Sequence, residues 1–237
     1  FTMRLDAYLA SALNDSRKNV RNYIKQKRVT LSGRVALSAA EKTDGKEVFL
    51  DGKKLESRGK IYLLMNKPRG YVSTTENIPE SVMSLVPSEF RVKGLAPAGR
   101  LDKDSEGLLI LTDDGNFAHE IISPSRHMEK VYFVVGAKSF SESDVEAFAK
   151  GLTLKDGFKC LPSRLEISRN KNEAFVTLFE GKYHQVRRMA AAVGNHVERL
   201  VRLRVGPYLL DGIKEGEVKR FFPGDVKQIK KYDEKEI

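Results

Sequence analysis

The sequence predicts an α+β protein in two parts: a small basic module at the N-terminus, then a larger domain built on a mixed, mainly antiparallel sheet. Three observations predict it. Two helix-period segments and two short hairpin signals crowd into residues 3–57. From Ile61 onward come four apolar, strand-like runs, with helical segments placed irregularly between them; a parallel sheet would alternate strand and helix more evenly. Finally, 237 residues with 41% apolar content suffice for one large or two smaller domains, each with a real core. The expected boundaries are 3–57 and 58–237, with LESRGK at 55–60 as a polar linker.

In the first module, Leu5, Leu9 and Leu13 recur at helical spacing, with Tyr8 and Ala12 on nearby faces. Asn14-Asp15-Ser16 breaks this helix and offers a cap for the next. The second segment, RKNVRNYIKQKR at 17–28, has six basic residues and no acidic one. Val20 and Ile24 point one way, and Arg17, Arg21, Lys25 and Arg28 form another stripe. Such a stripe repels itself, which phosphates would relieve; a plain solvated face is the alternative. VTLSGRVA and KEVFLDGKKL, with Ser-Gly and Asp-Gly turns, read as hairpin pieces.

In the larger part, IYLLMNKP (61–68), GLLILT (107–112), KVYFVVGAK (130–138) and EAFVTLFE (173–180) read as strands. SESDVEAFAKGL at 141–152 reads as a helix opened by Ser141 and Asp144 at capping-box spacing, with Val145, Phe148, Ala149 and Leu152 facing inward. YHQVRRMAAAV at 183–193 reads as another, with Val186, Ala190 and Val193 as its stripe and Gly194 as its stop.

Composition removes several function classes. No window approaches eighteen consecutive apolar residues, so no membrane span is expected. No signal-peptide pattern opens the chain; Met3 reads as the natural start, with Phe1 and Thr2 a remnant ahead of it. The single cysteine, Cys160, allows no internal disulfide and suits a reducing, cytoplasmic setting. His119, His127, His184 and His196 lack zinc-ligand spacing and read as ordinary polar residues, and no Gly-rich phosphate loop is present. The formal charge of +10 favours a polyanionic partner, most simply a nucleic acid. Twelve basic residues stand against seven acidic ones in residues 3–57, so half of that excess lies in the first quarter of the chain.

Against this basic background the stretch GRLDKDSEGLLILTDDG at 99–115 stands out. Asp113-Asp114-Gly115 reads as a turn. Asp102 and Asp104 could be turn residues, or metal ligands for which no third acidic partner is evident. Asp102 could also be a lone carboxylate nucleophile. The last role needs a cation to keep it ionised in a pocket with little water, because burial alone raises a carboxyl pKa. Arg187 or Arg188 could serve, but spacing does not place either of them.

Two resemblances narrow the choice. The order of the first module, with Arg4-Leu5-Asp6, Leu9, Ser16-Arg17, Ile24, Val29 and Gly33, resembles the alpha-L RNA-binding domain of ribosomal protein S-four. That resemblance implies that Arg17, Lys18, Arg21, Lys25 and Arg28 contact phosphates. In the larger part, Lys67-Pro68-Arg69-Gly70, Gly99-Arg100-Leu101-Asp102, Glu129-Lys130-Val131-Tyr132 and Glu180 to Met189 (EGKYHQVRRM) resemble, in order and spacing, the motifs of the RsuA/RluB/RluE/RluF family of pseudouridine synthases. The resemblance implies an isomerase that converts uridine to pseudouridine in ribosomal RNA without cofactor or metal. It implies Asp102 as nucleophile, Tyr132 stacked on the target base, and Arg187 paired with Asp102. Arg100 would hold the RNA open where the uridine flips out, and Lys67 and Arg69 would track the backbone. The phrases SPSRHMEKVY and EGKYHQVRRMAAAVGNHV lean towards 16S RNA, free or in a partly assembled small subunit, and a monomeric enzyme is expected. A 23S substrate, and a non-catalytic RNA-binding assembly factor, are the alternatives. A metal-dependent nuclease is a more distant one.

Overall fold

A computed structural model describes residues 2–56 and 59–225; Phe1 and the Ser57-Arg58 part of the expected linker lie outside the described residues. The chain divides into two compact units, Phe1–Lys60 with Val92–Gly94, and Ile61–Arg91 with Leu95–Ile237.

The first unit runs β1 (Met3–Arg4), α1 (Leu5–Ala12), α2 (Arg17–Lys25), β2 (Val29–Leu31), β3 (Arg34–Val35), β4 (Lys42–Thr43), β5 (Val48–Leu50) and β6 (Lys53–Lys54). β1 pairs with β4, and the other strands form a sheet in the order β3-β2-β5-β6. Leu5, Leu9, Val20, Ile24, Val29 and Val48 make its core. Ser16 caps α2 by accepting the amide of Asn19 at 3.1 Å.

The first turn of α1 holds a carboxylate that hydrophobic patterning does not reveal. The Asp6 side chain is wholly buried, between Arg4 at 3.0 Å and Arg21 at 2.9 Å. The hydrogen bond from Arg4 holds this carboxyl at about 2 against the opposing effect of burial, and Arg21 adds to it. This corrects the reading of the basic stripe. Acidic partners are missing from α2 itself, but the fold brings them from elsewhere. Arg21 is held by Asp6, and Arg28 grips Asp51 through two nitrogens at 3.0 and 2.6 Å. Arg17, Lys18 and Lys25 remain exposed, with no carboxylate within ion-pairing distance among the described residues.

The second unit is a nine-stranded sheet with helices packed on it. Its strands are β7 (Tyr62–Lys67), β8 (Ala96–Pro97), β9 (Glu106–Thr112), β10 (Lys130–Gly136), β11 (Arg164–Ile167), β12 (Glu173–Leu178), β13 (Val197–Val205), β14 (Tyr208–Leu209) and β15 (Val218–Arg220). The order is β11-β12-β10-β13-β9-β7-β15, with β14 on β13 and β8 on β9. Every pairing is antiparallel except β13 against β9, so the mixed, mainly antiparallel α+β class is observed. β9 lies between β13 and β7, which explains its unbroken apolar run. At Gly107, where φ is +100°, a side chain would start 2.3 Å from the Arg202 carbonyl oxygen, so the parallel seam closes only on glycine.

Among the described residues three α-helices pack in this unit: α3 (Gly115–Ile122), α4 (Glu142–Lys150) and α5 (Gln185–Ala192). α4 has the expected capping box, Ser141 with Asp144. Its buried face is narrower than the stripe foretold: Phe148 is buried but Ala149 is exposed. α5 buries Val186 and Ala190 as expected, together with Gln185 and Met189. α3 is a correction. The Asp-Asp-Gly read as a turn instead starts a helix, with Asp114 accepting the amides of Asn116 and Phe117. Asp114 also takes the Tyr62 hydroxyl at 2.8 Å, tying the helix to β7.

Candidate active site

Asp102 sits in the loop that leads into β9, and that loop is fastened on both sides. On one side the Ser73 hydroxyl donates to the Leu101 carbonyl at 2.8 Å and accepts the Leu101 amide at 3.0 Å. On the other is Lys67. Its register places it opposite Gly107 at the end of β7. Its side chain is fully buried, and its ammonium donates to the carbonyls of Ser105 (2.6 Å), Pro68 (3.0 Å) and Lys103 (3.4 Å). The Gly70 amide adds a bond to Lys103 O at 2.7 Å. Burial pulls the Lys67 ammonium down to about 8, opposed by the nearby Asp104, Asp102 and Glu106.

This overturns the expectation that Lys67 tracks the RNA backbone. A fully buried ammonium that commits its protons to three carbonyls cannot meet a phosphate; it braces the Asp102 loop instead. Arg69 is exposed, as a backbone contact requires, and so is Arg100.

Asp102 lines a pocket of about 660 Å³. Tyr132 and Lys130, two residues apart on β10, line the same pocket, as do Arg202 of β13 and Arg100. The β10–β13 pairing shifts register between Val131 and Tyr132, where Tyr132 comes opposite Arg202. Such a bulge re-aims the side chain that follows it. Tyr132 is buried into this wall at 8% exposure. Arg202 is fixed by its own bonds to Leu108 O (2.8 Å) and Arg100 O (3.1 Å). Lys130 donates to Met128 O at 3.0 Å, and burial, with Arg202 close by, lowers its ammonium to about 8. The pocket is thus walled by the buried Arg202, the half-buried Lys130 and the exposed Arg100, a setting that favours an anion.

The partner of Asp102 is not the expected one. His184 Nε2 lies 3.2 Å from Asp102 Oδ1. Arg187 instead reaches Asp104 at 3.0 Å and the Val197 carbonyl at 3.0 Å, while its Nε is buried without a hydrogen-bond partner. The two aspartates are two residues apart, and the fold gives the arginine to the second. Arg188 pairs with Asp156 at 2.5 Å. The other pocket carboxylate, Glu180, is committed to Gln185 (2.6 Å) and the Leu161 amide (2.9 Å).

Sequence reasoning missed three contributors: Lys130, Arg202 and His184. Lys130 was accessible, since period two places it on the face of Tyr132. Arg202 was not, because a buried arginine in a strand looks like a solvent-facing one. His184, without zinc-ligand spacing, looks like any other polar residue.

Among the described residues no cluster of three or more His, Cys, Asp or Glu side chains is placed to hold a metal ion. No described helix is long and apolar enough to cross a membrane.

Comparison with known proteins agrees with this architecture. Residues 61–192 match the family described as RNA pseudouridylate synthase. The chain is 41% identical over 216 residues to an uncharacterized RNA pseudouridine synthase, YtzG, of Bacillus subtilis, covering 88% of this chain and 90% of that one. It is 39% identical over 230 residues to ribosomal small subunit pseudouridine synthase A of Vibrio parahaemolyticus, covering 96% of each. With the enzyme of the same name from Escherichia coli K12 it is 40% identical over 214 residues, covering 88% and 91%. A crystal structure of a pseudouridylate synthase superposes with a TM-score of 0.66 at 32% identity, over 95% of this chain and 99% of that one.

Proposed function

Since the chain belongs to the RNA pseudouridylate synthase family, we propose that Asp102 is the carboxylate that opens the glycosidic bond of a uridine in 16S ribosomal RNA. The protein is an RNA pseudouridine synthase, an isomerase. In that reaction the bond from uracil N1 to the sugar breaks, the base rotates, and C5 takes its place on the sugar. The C5 proton leaves and N1 gains one, so the formula is unchanged.

The observation that carries the assignment is the bracing of Asp102. A carboxylate held by buried groups on both sides of its loop, at a cation-walled pocket, is placed to meet one atom of a bound nucleotide repeatedly. It attacks the anomeric carbon or otherwise promotes cleavage there. A uracil within a helix is out of its reach, so the nucleotide flips out, at a cost of a few kcal/mol. Stacking on the Tyr132 ring returns roughly 1–3 kcal/mol. Arg100, exposed at the same pocket, holds the opened strand, and Arg69 meets the backbone. Arg187 acts through Asp104 on the same loop.

Residues 3–57 serve as an alpha-L RNA-binding domain, and residues 58–237 as the catalytic domain. The exposed Arg17, Lys18 and Lys25 face phosphates, with Arg21 and Arg28 contributing charge from within their ion pairs. The 16S target is supported by relatives named as small-subunit enzymes. The enzyme acts as a monomer on the RNA, free or in a partly assembled small subunit.

The test is a map of pseudouridine in ribosomal RNA from cells lacking this gene. One 16S site should vanish, return with the wild-type protein, and stay absent with Asp102→Asn, which should still bind RNA. A lost 23S site would overturn the substrate, and product made by Asp102→Asn would overturn the nucleophile.

A further inference from the structure

Beside Asp102 stands a pair of rings that the reaction above does not use. Tyr183 and His184 stack face to face, with centroids 3.8 Å apart and planes 16° from parallel. Neighbouring residues in a strand point to opposite sides, and in a helix they diverge, so adjacent side chains rarely stack. Here the turn is made by His184, a non-glycine residue in the left-handed region at φ 49°. Backbone of this kind is sparsely populated and persists where its surroundings hold it. The holding contacts are present: Lys182 N bonds to Gln185 Oε1 at 2.9 Å, and the buried Gln185 bonds to Glu180 at 2.6 Å.

The stack is anchored at one end and open at the other. His184 covers one face of Tyr183 and points Nε2 at Asp102. Tyr183 is otherwise 75% exposed, although it lines the same pocket. The same pocket is also lined by the exposed apolar side chains of Phe179 and Leu161. A flat ring, immobilised from behind and bare in front, suits a flat apolar partner with a polar edge. In a pocket walled by Lys130, Arg202 and Arg100, that partner is a nucleobase carried on a phosphate backbone.

We infer that the Tyr183–His184 stack is a shelf for the base next to the target uridine, so that one nucleotide stacks on the open face of Tyr183 while its neighbour enters the Asp102 pocket. The target base is not the occupant, because Tyr132 already supplies the inner wall. Through His184 the shelf adjoins Asp102. Tyr183 is on this account a substrate-binding residue and His184 a positioning residue. The inference rests on the Asp102 reading only for the identity of the pocket's occupant.

The chain contains no tryptophan, so Tyr183→Trp installs a sole indole reporter on the shelf. Protein-free total ribosomal RNA from cells lacking the gene is the probe, and it contains both candidate substrates. Saturable quenching of the indole is expected, and it should persist when Asp102→Asn is added. With the same RNA, Tyr183→Ala should raise KM about tenfold, as expected for one lost base stack, and leave kcat within about twofold. Tyr183→Phe and Tyr183→Trp should restore KM. An indole unchanged at saturating RNA would overturn the shelf, as would a Tyr183→Ala protein with wild-type KM or one damaged in kcat alone. Failure of the Asp102 reading looks different: product forms with Asp102→Asn while the indole still responds.

Discussion

Replacing Lys67 by methionine separates what the buried ammonium does for stability from what it does for catalysis. The substitution keeps length and apolar stem but removes three hydrogen-bond donations. Lys103 O keeps the Gly70 amide, so the carbonyls of Pro68 and Ser105 bear most of the loss. Each buried acceptor left without its donor costs about 1–3 kcal/mol. Against this stands the penalty already present in the wild type. A shift of the ammonium from 10.5 to about 8 corresponds to about 3 kcal/mol of unfavourable charge burial near neutral pH. The two effects largely offset, so at pH 7 the net destabilisation should be modest, about 0–3 kcal/mol. Catalysis has no such compensation. Of the carbonyls that lose their donor, those of Lys103 and Ser105 belong to the loop that bears Asp102, and a misplacement of about 1 Å costs on the order of a hundredfold in rate.

The pH dependence supplies an independent sign. Between about 8 and 10.5 the unfolded chain keeps a proton on Lys67 that the folded protein has lost, so stability contributed by this residue rises with pH. Urea midpoints from about pH 7.5 to 10 should therefore climb in the wild type relative to Lys67→Met. Tritium release from RNA labelled at uridine C5 measures kcat. A folded Lys67→Met enzyme with wild-type kcat would refute the bracing argument, and parallel pH profiles would refute the burial penalty.

Three further expectations follow from the same structure. The Asp6 carboxyl, held at about 2 when folded against 3.8 when free, contributes about 2 kcal/mol above pH 4 that is lost as pH falls towards 2; Asp6→Asn should unfold more readily at neutral pH and flatten the acid transition followed by circular dichroism. Changing Arg17, Lys18 and Lys25 together to glutamine should weaken RNA binding and reduce its salt slope by about one for each phosphate no longer neutralised, with stability nearly unchanged; an unaltered slope in filter binding would place that face in solvent. Gly107→Ala forces a methyl group against the Arg202 backbone at 2.3 Å, in a conformation side chains avoid; a loss of about 3 kcal/mol or more is expected by urea titration, and a wild-type midpoint would show that the seam can spread.

Much of this architecture is legible in the sequence because its signals are local. Helical period finds α1, α2, α4 and α5, and the capping-box spacing finds the start of α4. Continuous apolar runs mark β7, β9, β10 and β12. The failures lie with polar residues whose structural place composition does not reveal. Asp113-Asp114-Gly115 has the composition of a turn, but an Asp that accepts amides two and three residues on is also a helix cap. β13, VERLVRLRV, escapes a reading by pattern because its arginines disguise its burial. Arg202 and Arg204 are both buried, the latter beside Glu129 at 2.5 Å. Lys67 misleads for the same reason. The motif resemblance points to Asp102, Tyr132 and Arg187, but it assigns Arg187 to the wrong aspartate, since pairing between distant segments has no local signature.

The single parallel seam has a consequence for the order in which the enzyme comes into being. Glu106 and Gly107 meet Val201 and Arg202, roughly a hundred residues later in the chain. Pairings of such separation form late, and on a growing chain they cannot form until the distant partner has been synthesised. The loop bearing Asp102 is made early, and Lys67 and Ser73 can fasten it at once. His184 and Arg202 arrive only with a much later part of the chain, roughly eighty to a hundred residues after Asp102. A chain that has emerged only as far as β9 therefore carries Asp102 without His184 and Arg202 beside it.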